Sequence, residues 1–307
     1  MSKLDSTGAL VWARQFGGEA WNRSHSIAVD GSGNVYTTGW FSRTVDFDPG
    51  AGTHTLTSAP RSSDIFVSKL DSTGAFIWAR QLGGTSHDLG YSIAVDGSGN
   101  VYTTGCFSRT VDFDPGPGMH NLTSAGGGDI FVSKLDSSGA FVWAGQLGGT
   151  GSDLGLSIAV DGPGNVYATG WFEEIADFDP GAGTHNLNSA GDFDIFVSKL
   201  DSTGAFVWAG QFGGTSEDSG WSIAVDGPGN VYTTGDFLDT VDFDPGASTY
   251  NLTSAGGADI FVSKLDSSGA FVWAGQLGGT GDDYGYSIAV DGPERIHNRA
   301  LRGHSGF

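Results

Sequence analysis

The chain has one cysteine, Cys106, among 307 residues, so no intrachain disulfide can staple it and the redox compartment is left open. Cations are scarce: 14 Lys and Arg stand against 35 Asp and Glu, a formal net charge of -21. That is too few for a nucleic-acid-binding stripe, and the acidic field repels phosphate backbones. No apolar run is long enough to span a bilayer, and no signal-peptide pattern is present, so membrane insertion is not expected. HExxH, the P-loop, the dinucleotide fingerprint and GxSxG are all absent. The seven histidines are scattered. His54, His120 and His185 recur at one repeat position, but Tyr250 takes their place in the next copy. No catalytic residue is nominated, and the reading leans towards a non-enzyme.

What the sequence does have is a repeat. Trp12, Trp78, Trp143, Trp208 and Trp273 recur every 65 or 66 residues, each closing a version of SKLDSTGAFVWA. SIAVDG recurs from Ser26, Ser92, Ser157, Ser222 and Ser287, and DFDPG from Asp46, Asp112, Asp177 and Asp242. One period shared by unrelated segments predicts tandem copies of a supersecondary unit. The copies fall at residues 26–91, 92–156, 157–221 and 222–286, with terminal pieces at 1–25 and 287–307.

Within residues 26–80, short strands are expected from Ser26, Val35, Ile65 and Ala75. The turns Gly31-Ser32-Gly33-Asn34 and Asp71-Ser72-Thr73-Gly74 join them in pairs. Two hairpins per period make a four-stranded antiparallel unit. Its third and fourth strands are apolar on both faces, so both faces must be covered. Glycine recurs inside the second strand at Gly39, Gly105, Gly170 and Gly235, and close approach by a neighbour is the expected reason.

The runs DIFVSKLDSSGAFVWAGQLGGT and SIAVDGPGNVYATGWF resemble the SBBP repeats, a β-propeller repeat family of bacterial, often secreted or surface proteins. LDSTGAFIW, from Leu70, is similar to the quinone-dehydrogenase type of propeller repeat as well. The resemblance implies an all-β fold, a β-propeller of four-stranded antiparallel blades. About five blades result if the terminal pieces combine into a composite or incomplete last blade. It also implies an extracellular or cell-surface setting; a longer parent protein is expected from the tail. The resemblance brings no catalytic residues.

The tail departs from the repeat. After Gly292 the text reads PERIHNRALRGHSGF where PGNVYTTG is expected. One codon assignment for residues 294–307, read one base out of frame, spells NVSTTGRFEGTADF. A one-nucleotide frameshift is therefore expected to have replaced the repeat over 294–307.

Two sets of residues carry the chemical signal. In DFDPG, the pairs Asp46 and Asp48, Asp112 and Asp114, Asp177 and Asp179, and Asp242 and Asp244 stand at i and i+2. In extended backbone both carboxylates point one way, which suits Ca²⁺. The competing reading is a capped Pro-Gly turn. Positions that vary between near-identical copies form the second set: His25, Tyr91 and Trp221 with Tyr286, and Trp40 with Trp171. Several are aromatic and suit stacking on a sugar or gripping a peptide. Drift at half-exposed packing positions competes with that reading. The expected function is a non-catalytic propeller that binds a protein or glycan. The alternatives are a channel-mouth hydrolase or lyase, and repeats that act only as a spacer.

Overall fold

A computed structural model describes residues 1–18, 21–291 and 295–302. Among the described residues the secondary structure is all β. The chain divides into two compact units, the first mostly residues 1–123 with 133–144, the second mostly 145–307 with 124–132.

In the first unit the repeat is visible strand by strand. Asn22–Val29, Val35–Phe41, Asp64–Leu70 and Phe76–Gly84 form an antiparallel run in that order. The third strand, DIFVSKL, is buried from end to end. Phe41, Phe47 and Phe66 pack as one aromatic knot, with ring centroids 5.4 Å and 5.0 Å apart. The second unit repeats the scheme with Ser219–Val225, Val231–Phe237, Asp259–Leu265 and Phe271–Leu277. The glycine in each second strand answers to a backbone. A side chain on Gly39 would collide with the carbonyl of Arg23, and one on Gly235 with that of Ser219, where the first strand bulges.

The turns are locked by their own aspartates. Asp71 Oδ1 accepts from the backbone and hydroxyl of Thr73, at 2.8 and 2.7 Å, and from Ala75 N at 2.9 Å. The next residue but two, Gly74, has φ +79°, a conformation that glycine adopts freely.

The five-bladed propeller is corrected by the strand pairing. Sequence reading takes each repeat as a self-contained four-stranded blade, but each repeat also carries a third, smaller hairpin. Thr44–Asp46 pairs with Thr55–Thr57 around the DPG loop, and Thr110–Asp112 with Asn121–Thr123. That hairpin bonds to the fourth strand of the repeat before it. Val111 and Asp112 pair with Gly84 and Gly83, Ala176 and Asp177 with Gly149 and Gly148, and Val45 and Asp46 with Gly18 and Gly17. Ladder hydrogen bonds thus cross the repeat boundary, and sheets of two to eight strands result where uniform blades are expected.

No sheet closes among the described residues, and the composite blade is absent. Ser2–Leu4 with Leu10–Ala13, and Asp283–Asp291 with Arg295–Arg302, remain separate two-stranded sheets. The first of these third strands is only SKL, without the DIFV half that is buried elsewhere. Arg295–Arg302 carries RIHNRALR in place of VYTTGWF. Too little ladder and too little apolar surface face each other to close a ring. The frameshift expectation falls partly outside the described residues, at Glu294 and over 303–307. The described part, 295–302, still takes the second-strand register, with Ser287 opposite Arg299 as Ser222 is opposite Thr234.

Candidate functional site

The DFDPG loops are built inwards from their phenylalanine. Phe47, Phe113, Phe178 and Phe243 are all fully buried, which pins each loop to the core. The flanking carboxylates then serve the backbone. Asp46 Oδ1 accepts from Asp48 N at 3.0 Å and His54 N at 2.9 Å, while Asp48 Oδ1 accepts from Gly50 N at 2.8 Å. Asp112 and Asp114, Asp177 and Asp179, and Asp242 and Asp244 repeat those bonds. The backbone N–H groups of His54 and Asp48 hold the Asp46 carboxyl below the ordinary carboxylate range. With one oxygen of each carboxylate occupied, a loop offers two side-chain oxygens, where Ca²⁺ takes six to eight ligands. No group of three or more His, Cys, Asp or Glu suited to a metal occurs among the described residues. The recurring histidines lie on the same loops, where His54 Nε2 sits 3.2 Å from the Ala79 carbonyl and the ring stacks on Phe76.

The aromatic candidates come together only in pairs. His25 and Tyr91 pack with tilted rings, centroids 4.8 Å apart, and Trp221 and Tyr286 lie 5.6 Å apart. Trp221 also donates its indole N–H to Asp236. Trp171 stacks on Phe193 at 4.8 Å. Trp40 is half-buried between the strand neighbours Arg23 and Ile65. These contacts link first strands of adjoining repeats or neighbours within a repeat. The same first strands are tied by a hydroxyl, since Ser26 Oγ accepts from Ile93 N at 3.3 Å and Ser157 Oγ from Ile223 N at 3.2 Å.

The period tryptophans form the most regular contact. Trp78 Nε1 donates to the Ser137 carbonyl at 3.2 Å, in the hairpin turn of the following repeat. Lys69 Nζ reaches the same carbonyl at 3.1 Å, and Arg80 Nε bonds the Gly139 carbonyl at 2.9 Å. A side chain on Gly139 would lie 2.9 Å from the Trp78 ring, and that glycine has φ +78°. Trp12 does the same to Ser72 and Gly74, and Trp208 to Ser267 and Gly269.

The sequence does not reveal that two aspartates of each repeat junction are buried together. The aspartate opening each third strand is buried, and it lies near the buried aspartate that precedes the next first strand. Asp129 and Asp153 meet around Gly148, where an added Cβ would lie 2.9 Å from Asp129 Cγ and 2.6 Å from Asp153 Oδ2. Asp153 Oδ2 accepts from Gly149 N at 2.8 Å, and its Oδ1 from Glu173 N at 3.2 Å. Asp129 Oδ2 accepts from Ala125 N at 3.1 Å and Gln146 Nε2 at 2.6 Å. Burial pushes both carboxyls up, and at Asp153 the charges of Asp129 and Glu173 push further, against the hydrogen bonds from Gly149 and Glu173. Asp194 and Asp218 are raised in the same way. The available signal was the invariant D before IFVSKL in every complete copy, but aspartate reads as a turn residue until packing buries it.

The sequence profile of the SBBP family, described as "Beta-propeller repeat", matches residues 11–40 and 77–105, a minority of the chain. Among curated proteins, an uncharacterised WD repeat-containing protein of Acanthamoeba polyphaga mimivirus is 26% identical over 251 residues, 72% of this chain and 18% of that protein. The regulatory protein FlaEY of Caulobacter vibrioides is 27% identical over 200 residues, 64% of this chain and 20% of that protein. The chain thus spans about a fifth of the length of these relatives. Among solved structures, a protein of unknown function from Bacteroides caccae aligns over 88% of this chain and 87% of its own, at 10% identity and a TM-score of 0.36. The SBBP resemblance is therefore local, confined to two segments, and the pairing across repeats replaces the propeller that it implies. The binding-propeller function goes with that ring, because no sheet closes among the described residues to frame a binding face.

Proposed function

We propose that this chain is a run of structural spacer repeats within a longer protein, with no catalytic role of its own. One observation carries the reading: the glycine pairs Gly17–Gly18, Gly83–Gly84 and Gly148–Gly149 form ladder bonds with the DFDPG hairpin of the next repeat. The second glycine is needed for that approach. A Cβ on Gly18, Gly84, Gly149 or Gly214 would strike the carbonyl of Thr44, Thr110, Ile175 or Thr240. Each repeat therefore ends in a surface made for the start of its successor, and stability accrues between neighbours. The acidic side chains support the same reading, since those on the DFDPG loops are spent on backbone N–H groups.

The test is removal of one whole period, residues 157–221, from the longer protein. A spacer keeps a folded product, because the flanking ends still match, and the parent's activity persists with at most a graded change. Abolished activity in a folded deletion product would refute the spacer reading.

A further inference from the structure

The buried aspartate pairs have an oxygen that the protein leaves without a partner. Asp129 Oδ1, Asp194 Oδ1 and Asp259 Oδ1 are fully enclosed and accept no hydrogen bond. A buried carboxylate oxygen without a donor is costly. The first repeat shows the arrangement satisfied another way. There Ser62 Oγ donates to Asp64 Oδ1 at 3.0 Å, and Gln81 Nε2 donates to Oδ2 at 2.6 Å.

A metal is a poor answer in the later repeats. Asp129 Oδ2 and both oxygens of Asp153 already accept N–H donors, which leaves one free carboxylate oxygen per pair. A calcium ion needs several. A proton needs one.

We propose that Asp129 and Asp194 are carboxylic acids carrying their proton on Oδ1, each paired with an ionised Asp153 or Asp218, so that these repeats are proton-holding units which loosen on alkalinisation. The hydrogen bonds decide which partner is neutral. Asp218, like Asp153, has both oxygens held by backbone donors, Gly214 N at 3.0 Å and Leu238 N at 3.0 Å, which favours its charged form. Asp194 has one oxygen held, by Ala190 N at 3.0 Å and Gln211 Nε2 at 3.2 Å, and one left for the proton. The charged groups bearing on Asp153 are Asp129 and Glu173, and those on Asp218 are Asp194 and Asp236. All are acidic, so ionising the second member of a pair meets repulsion without relief.

The sign follows by linkage. Carboxyls raised on folding make the native state hold protons that the unfolded chain releases. Their contribution is complete below the unfolded value, about 3.9, and is lost as pH rises through the folded titration. In a coupled pair the titration belongs to both members, so the raised values of about 7 at Asp153 and about 8 at Asp218 mark where each pair releases its proton, while the hydrogen bonds mark which oxygen holds it.

The experiment compares wild type with Asp129→Asn, Asp194→Asn and the double variant, by urea denaturation from about pH 5 to about pH 9. Asparagine keeps the acceptor used by Gln146 or Gln211 and replaces the proton-bearing oxygen with a donor. Wild type is expected to lose up to tenfold in folding constant per pH unit for each proton released, and the double variant to show a flatter profile. Equal slopes in both would overturn the proposal. Carbon-13 NMR of the aspartate carboxyl carbons in the wild type gives a readout that does not depend on the variants folding. Resonances assigned to Asp129 and Asp194 in the protonated position at about pH 5, where ordinary aspartates are ionised, support the proposal, and ionised resonances for both overturn it.

Discussion

Replacing Trp78 with alanine should destabilise the protein far more than the same change at Trp12, although the two side chains make matching contacts. Trp78 is 5% exposed and Trp12 6%. Each donates its indole N–H to a serine carbonyl of the next turn at 3.2 Å, and each lies against a left-handed glycine. Each also has an arginine over its ring, at 5.6 Å for Arg80 and 5.9 Å for Arg14. Truncating a buried Trp costs roughly 3–5 kcal/mol through lost burial and the cavity left behind. The cation–ring contact contributes about 0.5–1 kcal/mol of related loss at a partly exposed site. The difference lies in position. Trp78 joins two complete repeats, so its loss weakens a joint through which cooperativity passes. Trp12 joins a two-stranded hairpin to the first complete repeat, so its loss frays that hairpin and leaves the main transition in place. Urea denaturation followed by far-ultraviolet circular dichroism separates the cases. Trp78→Ala should shift the main transition by roughly 3–5 kcal/mol, and Trp12→Ala by a small fraction of that. Equal shifts for both, or a shift below about 1 kcal/mol for Trp78→Ala, would refute the joint as the source of stability.

Gly84→Ala should cost about 1–3 kcal/mol by overpacking, because its Cβ would strike the Thr110 carbonyl, whereas Gly97→Ala, with open space around it, should be far milder. Thermal melting of both variants checks the contrast. Asp46→Ala should lose two backbone caps, worth about 0.5–1.5 kcal/mol each, and Asp48→Ala only the one to Gly50. Because hydrogen bonds hold Asp46 low, its share of stability is present above the unfolded carboxyl value and disappears as pH falls through the folded one. An acid titration of wild type and Asp46→Ala should therefore converge at low pH. Millimolar Ca²⁺ should raise the melting temperature no more than NaCl of equal ionic strength, and a calcium-specific rise that chelation reverses would support the metal reading of the DFDPG loops.

Much of the local structure is legible from the sequence, and the reasons are specific. The strand DIFVSKL, the Asp-Ser-Thr-Gly turn and the strand glycine Gly39 each announce themselves through residue type and period. The hairpin Thr44–Asp46 with Thr55–Thr57 does not, because three-residue strands are too short to show alternation. Its pairing with Gly17 and Gly18 is non-local, and a Gly-Gly pair reads as a loop until a partner backbone is beside it. That omission led to self-contained blades and a ring. The carboxylates of DFDPG were visible as a pattern, but their chemistry depends on Phe47 being buried and on which N–H groups the loop then presents. Asp129 and Asp194 were invisible as a site, since nothing in a one-dimensional pattern says that an aspartate is enclosed with one oxygen left bare.

Native-state amide hydrogen exchange, resolved by residue, tests the architecture most directly. Repeats joined neighbour to neighbour, without ring closure, predict the strongest protection in Asp64–Leu70 and Asp259–Leu265. They predict substantial protection at Val111, where the hairpin meets the preceding repeat, and the weakest in Ser2–Leu4 and Arg295–Arg302. Terminal strands protected as strongly as the internal third strands would mean that the two ends pair, and would contradict the account.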